Sequence, residues 1–202
     1  MEQQPSALSA ATPTPAAAAA ADGPEAFVAG LGDRALRLLE GRRTGAVPRG
    51  ELAALLDEAV DLGLLARLVL GRHWNVATEE QRREYLELFR AYALQGLTSA
   101  FVTYAGLRRF ALAGARPAGD GDVLVGSELH LEPGRPPYRV DWRVRDAGGR
   151  FVVVDVVAEG VSLLVTNRDE FNAIVGRGGV EGLLREMRGW REEGAGAAPG
   201  GT

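Results

Sequence analysis

Asp155 is the side chain in this sequence that most needs an explanation. It lies in Phe151-Val152-Val153-Val154-Asp155-Val156-Val157-Ala158, a run that is apolar at both parities. Counting by twos puts it on the side of Phe151, Val153 and Val157. A carboxylate among valines is costly unless it is paired or hydrogen-bonded. Two roles meet that requirement. It is either a general base in an apolar pocket, working with Tyr104 or Tyr92 as in small cone-shaped α+β isomerases, or an acceptor for backbone amides or an arginine.

Other chemistry has less to work with. Gly160-Val161-Ser162 starts like a nucleophile elbow, but Leu164 stands where the closing glycine belongs. The spacing predicts a strand running into a short extended segment, so Ser162 reads as a plain serine at a strand end. Gly176-Arg177-Gly178-Gly179 precedes a helix and could cradle an anion, yet no βαβ unit surrounds it and helix punctuation is the simpler reading. His73 and His130 are the only histidines and there is no cysteine, so no metal site is expected. Arg135, Arg139, Arg143, Arg145 and Arg150 crowd one strand and its turns. They form either a solvated sheet face or a docking face for an acidic partner or a lipid phosphate, with Arg139, Arg143 and Arg145 as the docking candidates.

These residues belong to a chain of 202 residues, with 23 basic and 27 acidic side chains and a net charge of −4. That balance argues against nucleic acid as the main partner. The lack of cysteine excludes thiolate zinc sites, iron–sulfur clusters, cysteine nucleophiles and disulfides. Every basic residue is arginine, which fits a GC-rich codon bias and carries no functional argument. Residues 1–22 and 194–202 are low in complexity, so a disordered leader or signal remnant and a disordered tail are expected to flank one domain over 23–193. The uncharged stretch Gln3–Ala21 has one strongly apolar residue, Leu8, and three prolines. It is therefore neither a membrane span nor a recognisable signal peptide.

The elements that position the candidates change character midway. Phe27, Val28, Leu31, Ala35, Leu38 and Leu39 recur at helical steps, and Gly41–Pro48 should end that helix. A second helix carries Leu52, Leu55, Leu56 and Val60, hinges near Gly63 and stops at Gly71. Thr78 with Gln81 is a capping box, opening a helix with Tyr85, Leu88, Phe89 and Tyr92 inward and a possible break at Gly96. After Gly106 the period is two. Strands are expected at Arg108–Ala113, Val123–Leu131, Tyr138–Arg145 and Phe151–Ala158, with a hairpin at Asp146–Gly149. Short helices at Asp169–Val175 and Val180–Trp190 close the chain. The fold class is α+β: helices on the apolar face of a curved antiparallel sheet of about four strands, with room for a pocket between them.

Three segments then resemble a known family. They are Leu65-Ala66-Arg67-Leu68-Val69-Leu70-Gly71-Arg72-His73-Trp74, followed by Ala77–Arg82 and Tyr85–Phe89; then Asp155–Leu163; then Arg168, Phe171, Ile174, Gly178, Gly179, Gly182, Leu183 and Leu184. In this order they are similar to the signature of the MlaC, or toluene-tolerance, family. Asn167 stands where many members have an aromatic residue.

The resemblance implies a periplasmic lipid carrier, without catalysis or cofactor, holding acyl chains in a cavity between helices and sheet. It implies as partners a phospholipid ligand, an inner-membrane Mla ABC transporter complex and an outer-membrane Mla lipoprotein–porin complex. The residues expected to touch lipid are Leu97, Phe101, Tyr104, Trp142, Val144, Val154, Val161, Leu163 and Phe171. Two rivals stand beside this reading: an isomerase-like enzyme using Asp155, and an interaction module working through the arginine-rich strand.

Overall fold

The computed structural model describes residues 23–42, 49–131 and 133–196. The expected leader, most of the Gly41–Pro48 break and the end of the tail lie outside the described residues. Helix α1 (Gly23–Arg42) turns Phe27, Val28, Leu31 and Leu39 inward. Helix α2 (Arg49–Ala59) buries Leu52, Leu55 and Leu56. The chain breaks two residues before the expected hinge at Gly63, because Asp61 accepts a hydrogen bond from the Leu64 amide at 2.9 Å and so caps a new helix, α3 (Leu62–Leu70). Gly71, at φ 57°, ends it as expected. After the short α4 (His73–Val76), the capping box forms in both directions: Gln81 N donates to Thr78 Oγ1 at 3.2 Å, and Thr78 N donates to Gln81 Oε1 at 3.1 Å. Helix α5 (Glu79–Thr103) then continues through Gly96 and carries its apolar stripe on to Leu97 and Phe101, the continuation the sequence allowed. A single glycine costs a helix interior only about 1 kcal/mol relative to alanine.

Five strands form one antiparallel sheet in chain order: β1 (Arg109–Pro117), β2 (Val123–His130), β3 (Tyr138–Asp146), β4 (Phe151–Ala158) and β5 (Val161–Ser162). The fifth exceeds the expected number. Glu159 at φ 48° and Gly160 at φ 84° make a two-residue turn with both central residues left-handed, which folds Val161 and Ser162 back onto the end of β4. The chain then enters α6 (Leu163–Gly196) directly. The element holds the two C-terminal helices expected, separated by a kink where Gly179 leaves helical geometry at φ 65°. It also takes in residues 194–196, which were expected to belong to a disordered tail.

The cores are two. One lies between the sheet and α1, α2 and the later part of α5, with Val28, Leu31, Leu55, Phe101, Val125, Leu129, Val140 and Val144 at its heart. Gly32 lets α1 approach the sheet closely: a Cβ there would stand 2.4 Å from Phe110 Cδ1. The other core lies among α3, α5 and α6, where Tyr85, Leu88, Phe89, Phe171, Leu183, Leu184 and Met187 pack together.

Candidate functional site

The register of the sheet decides what faces the helices. Val140 stands opposite Ser127, Trp142 opposite Val125, and Val144 opposite Val123. This face is apolar except for Ser127, which is buried and satisfied: its hydroxyl donates to Val140 O at 2.9 Å and accepts from Trp142 Nε1 at 2.9 Å. The serine thereby fixes the indole inside the layer, against Phe110 at 6.4 Å between ring centroids. Above it α5 contributes Leu97, Phe101 and Tyr104. Phe101, Val125 and Val144 are buried, while Leu97, Tyr104, Phe110 and Trp142 stay partly open, so the layer is not sealed from solvent. Tyr104 meets the half-exposed Tyr138 edge-on at 6.1 Å.

Five of the nine residues expected to touch lipid therefore converge: Leu97, Phe101, Tyr104, Trp142 and Val144. The other four stand apart. Phe171 is in the second core, ringed by Tyr85, Phe89, Tyr92 and Trp190 at 5.6–6.4 Å. Val154 is buried but outside the layer between helices and sheet. Val161 and Leu163 are 57% and 48% exposed where β5 meets α6.

Val154 and Asp155 are displaced by one irregularity. Arg143 faces Asp155 while Val144 faces Val153, so Val154 is the extra residue of a bulge. One inserted residue reverses the parity of everything after it. Asp155 thus shares the face of Arg143, opposite to that of Val153 and Phe151. The carboxylate is almost fully buried there, 9% exposed, and its work is structural. Oδ2 accepts from the Ser162 hydroxyl at 2.6 Å and Oδ1 from the Leu164 amide at 2.9 Å. Ser162 Oγ in turn accepts from the Val165 amide at 3.0 Å. Together they satisfy the first amides of α6, which otherwise lack partners. Ser162 therefore ends the short extended segment β5, as expected, and also caps α6 at the strand-to-helix junction. Neither tyrosine assigned to the enzyme reading is a partner of Asp155: Tyr92 donates to Asn167 Oδ1 at 2.6 Å, and Tyr104 packs on Tyr138.

The arginine-rich strand divides as well. Arg139 is exposed, whereas Arg143 and Arg145 clamp Asp122, donating to its carboxylate through their Nε atoms at 2.6 Å each. Arg145 Nη2 adds a third bond at 2.9 Å. The Asp122 side chain is wholly buried. The hydrogen bonds from Arg145, opposed by desolvation and joined by those from Arg143, hold its carboxyl below the usual carboxylate range. Sequence reading missed this partner. The signal was a carboxylate in the Gly119–Asp122 turn, entering the strand that pairs with Arg143 and Arg145. Beside them, a polar cleft of about 380 Å³ opens on the outer face, with Arg116, Arg139, Asp141 and Glu159 in its lining. Arg116 pairs with Asp141 at 3.2 Å.

Similarity to known proteins agrees with this geometry. The family model described as MlaC protein matches residues 37–189. A phospholipid-binding protein from Ralstonia solanacearum, solved in complex with a phospholipid, superposes with a TM-score of 0.70 at 26% identity, over 85% of this chain and 98% of that one. The family match spans most of the described fold and includes all three signature segments, and with it the chain belongs to the MlaC family.

Proposed function

We propose that this protein is a periplasmic phospholipid carrier. It binds acyl chains between helices and sheet and shuttles lipid between the outer-membrane lipoprotein–porin complex and the inner-membrane ABC transporter complex of the Mla pathway. The observation that carries this reading is the phospholipid held by a relative of the same fold. The apolar layer built by Leu97, Phe101, Tyr104, Trp142 and Val144 supplies the matching chemistry here. Shielding each methylene from water contributes about 0.8 kcal/mol, so two long chains bind strongly without specific polar contacts. None of the described helices is long and apolar enough to cross a membrane, as a shuttle requires. Arg139, exposed beside the outer cleft, is the docking residue this reading retains, since Arg143 and Arg145 are engaged by Asp122.

Native mass spectrometry with lipid extraction from the same sample tests the proposal. An added mass matching one or more phospholipids, lost on denaturation, is the expected result. A bare mass that persists after incubation with diacyl phospholipid overturns it.

A further inference from the structure

A second cleft, of about 410 Å³, opens on the helical side of the molecule, where the end of α3 meets α6. Its lining is Gly71, Arg72, Arg168 and Asn172, and holds no carboxylate. Arg168 is fixed in place. Its Nε and Nη2 donate to Leu68 O at 2.9 and 2.7 Å, tying α6 to the last turn of α3. A guanidinium carries five N–H groups, so Nη1 and the second proton of Nη2 are left without that partner. Arg72 is exposed, and its guanidinium has no hydrogen bond or ion pair among the described residues. Asn172 adds an amide. The space beside Gly71 is open, with nothing within 4 Å of where a Cβ would stand.

Two guanidinium groups and an amide, with no acid among them, form a donor set for an oxyanion. One arginine is already immobilised by the fold, so less conformational freedom is lost on binding. We propose that this cleft is a phosphate-binding site, taking either free phosphate or the phosphate of a lipid headgroup. Arg72 supplies the mobile guanidinium and Arg168 the fixed one. The site is separate from the layer that would hold acyl chains, so a phosphate site stands whether or not the protein carries lipid.

The test is titration of inorganic phosphate, and separately of glycerophosphoglycerol, into the ¹⁵N-labelled full chain. Saturable shifts are expected at the amides of Gly71 and Arg72 and at the side-chain N–H groups of Arg168 and Asn172. Arg72→Glu should weaken phosphate at least about tenfold, the loss expected for a charge-assisted bond. Arg109→Glu, the same charge change elsewhere on the surface, should alter it by less than about twofold. Asn172→Asp provides a second, conservative variant with the expectation of Arg72→Glu. Phospholipid recovered from the purified Arg72→Glu protein separates the sources: reduced loading marks a headgroup site, and unchanged loading with weakened phosphate marks a free-phosphate site. Absence of saturable shifts with both probes, or equal binding by wild type and Arg72→Glu, overturns the proposal.

Discussion

The hydroxyl of Ser162 donates to the carboxylate of Asp155 at 2.6 Å, joining the end of the sheet to the start of α6. Asp155 also takes the Leu164 amide and Ser162 Oγ takes that of Val165, so the linked pair replaces two of the partners that a helix start lacks. The spacing Asp-Val-Val-Ala-Glu-Gly-Val-Ser follows from this. Glu159-Gly160 is the turn that brings Ser162 back beside Asp155.

Replacing Asp155 with alanine should lower stability by about 1–3 kcal/mol, through lost caps and unsatisfied amides. Urea unfolding followed by circular dichroism measures the loss. Asp155→Asn keeps an oxygen for the Leu164 amide and should lie between alanine and wild type while still carrying lipid. A stable Asp155→Asn protein that has lost turnover of some substrate would instead restore the enzyme reading.

The Asp122 clamp predicts an acid limb in the stability curve. Its folded-state value is depressed below the unfolded one, chiefly by Arg145. Its contribution is therefore complete above the unfolded carboxylate value of about 4 and is lost as pH falls through the folded value. Asp57 and Glu84, held down by hydrogen bonds from Arg90 and Arg188, add in the same direction. Asp122→Asn should cost about 2–3 kcal/mol at pH 7, below the range for a fully buried pair because Arg143 and Arg145 remain 28% and 30% exposed. The variant should also show a shallower decline between pH 5 and pH 2 in urea titrations.

Val144→Trp and Leu163→Trp probe the apolar layer and its surroundings. Val144 is buried in the layer, whereas Leu163 is half-exposed outside it. Val144→Trp should yield a folded protein from which no lipid is extracted. Leu163→Trp should leave lipid loading unchanged. A Val144→Trp protein destabilised by about 1–3 kcal/mol would show that the layer is a filled core without room for cargo.

Phe171→Ala should be the most damaging of these changes, costing about 3–5 kcal/mol. The side chain is 1% exposed and sits amid four other aromatic rings. Thermal unfolding should show the loss. Any protein that remains folded should carry lipid like wild type, since Phe171 lies outside the layer.

Local signals in the sequence proved dependable where one bond or one period decides the outcome. Thr78 and Gln81 close the expected box, and the alternation of Val140, Trp142 and Val144 puts all three on the helix-facing side. Asp155 was misplaced because parity counting assumes an uninterrupted ladder, and a bulge is a property of two strands together. Phe171 falls in the other core from Phe101 and Trp142 because helical period identifies a buried face without saying which core receives it. Arg143 and Arg145 read as free because their partner, Asp122, comes from a turn more than twenty residues earlier.

The division of the core has a thermodynamic consequence. The cluster around Phe171 is built of aromatic rings among helices, while the layer beneath the sheet is mostly aliphatic and keeps Leu97, Tyr104 and Trp142 partly open. The two clusters share no residue, so a change in packing beneath the sheet would leave the aromatic cluster standing as a keel.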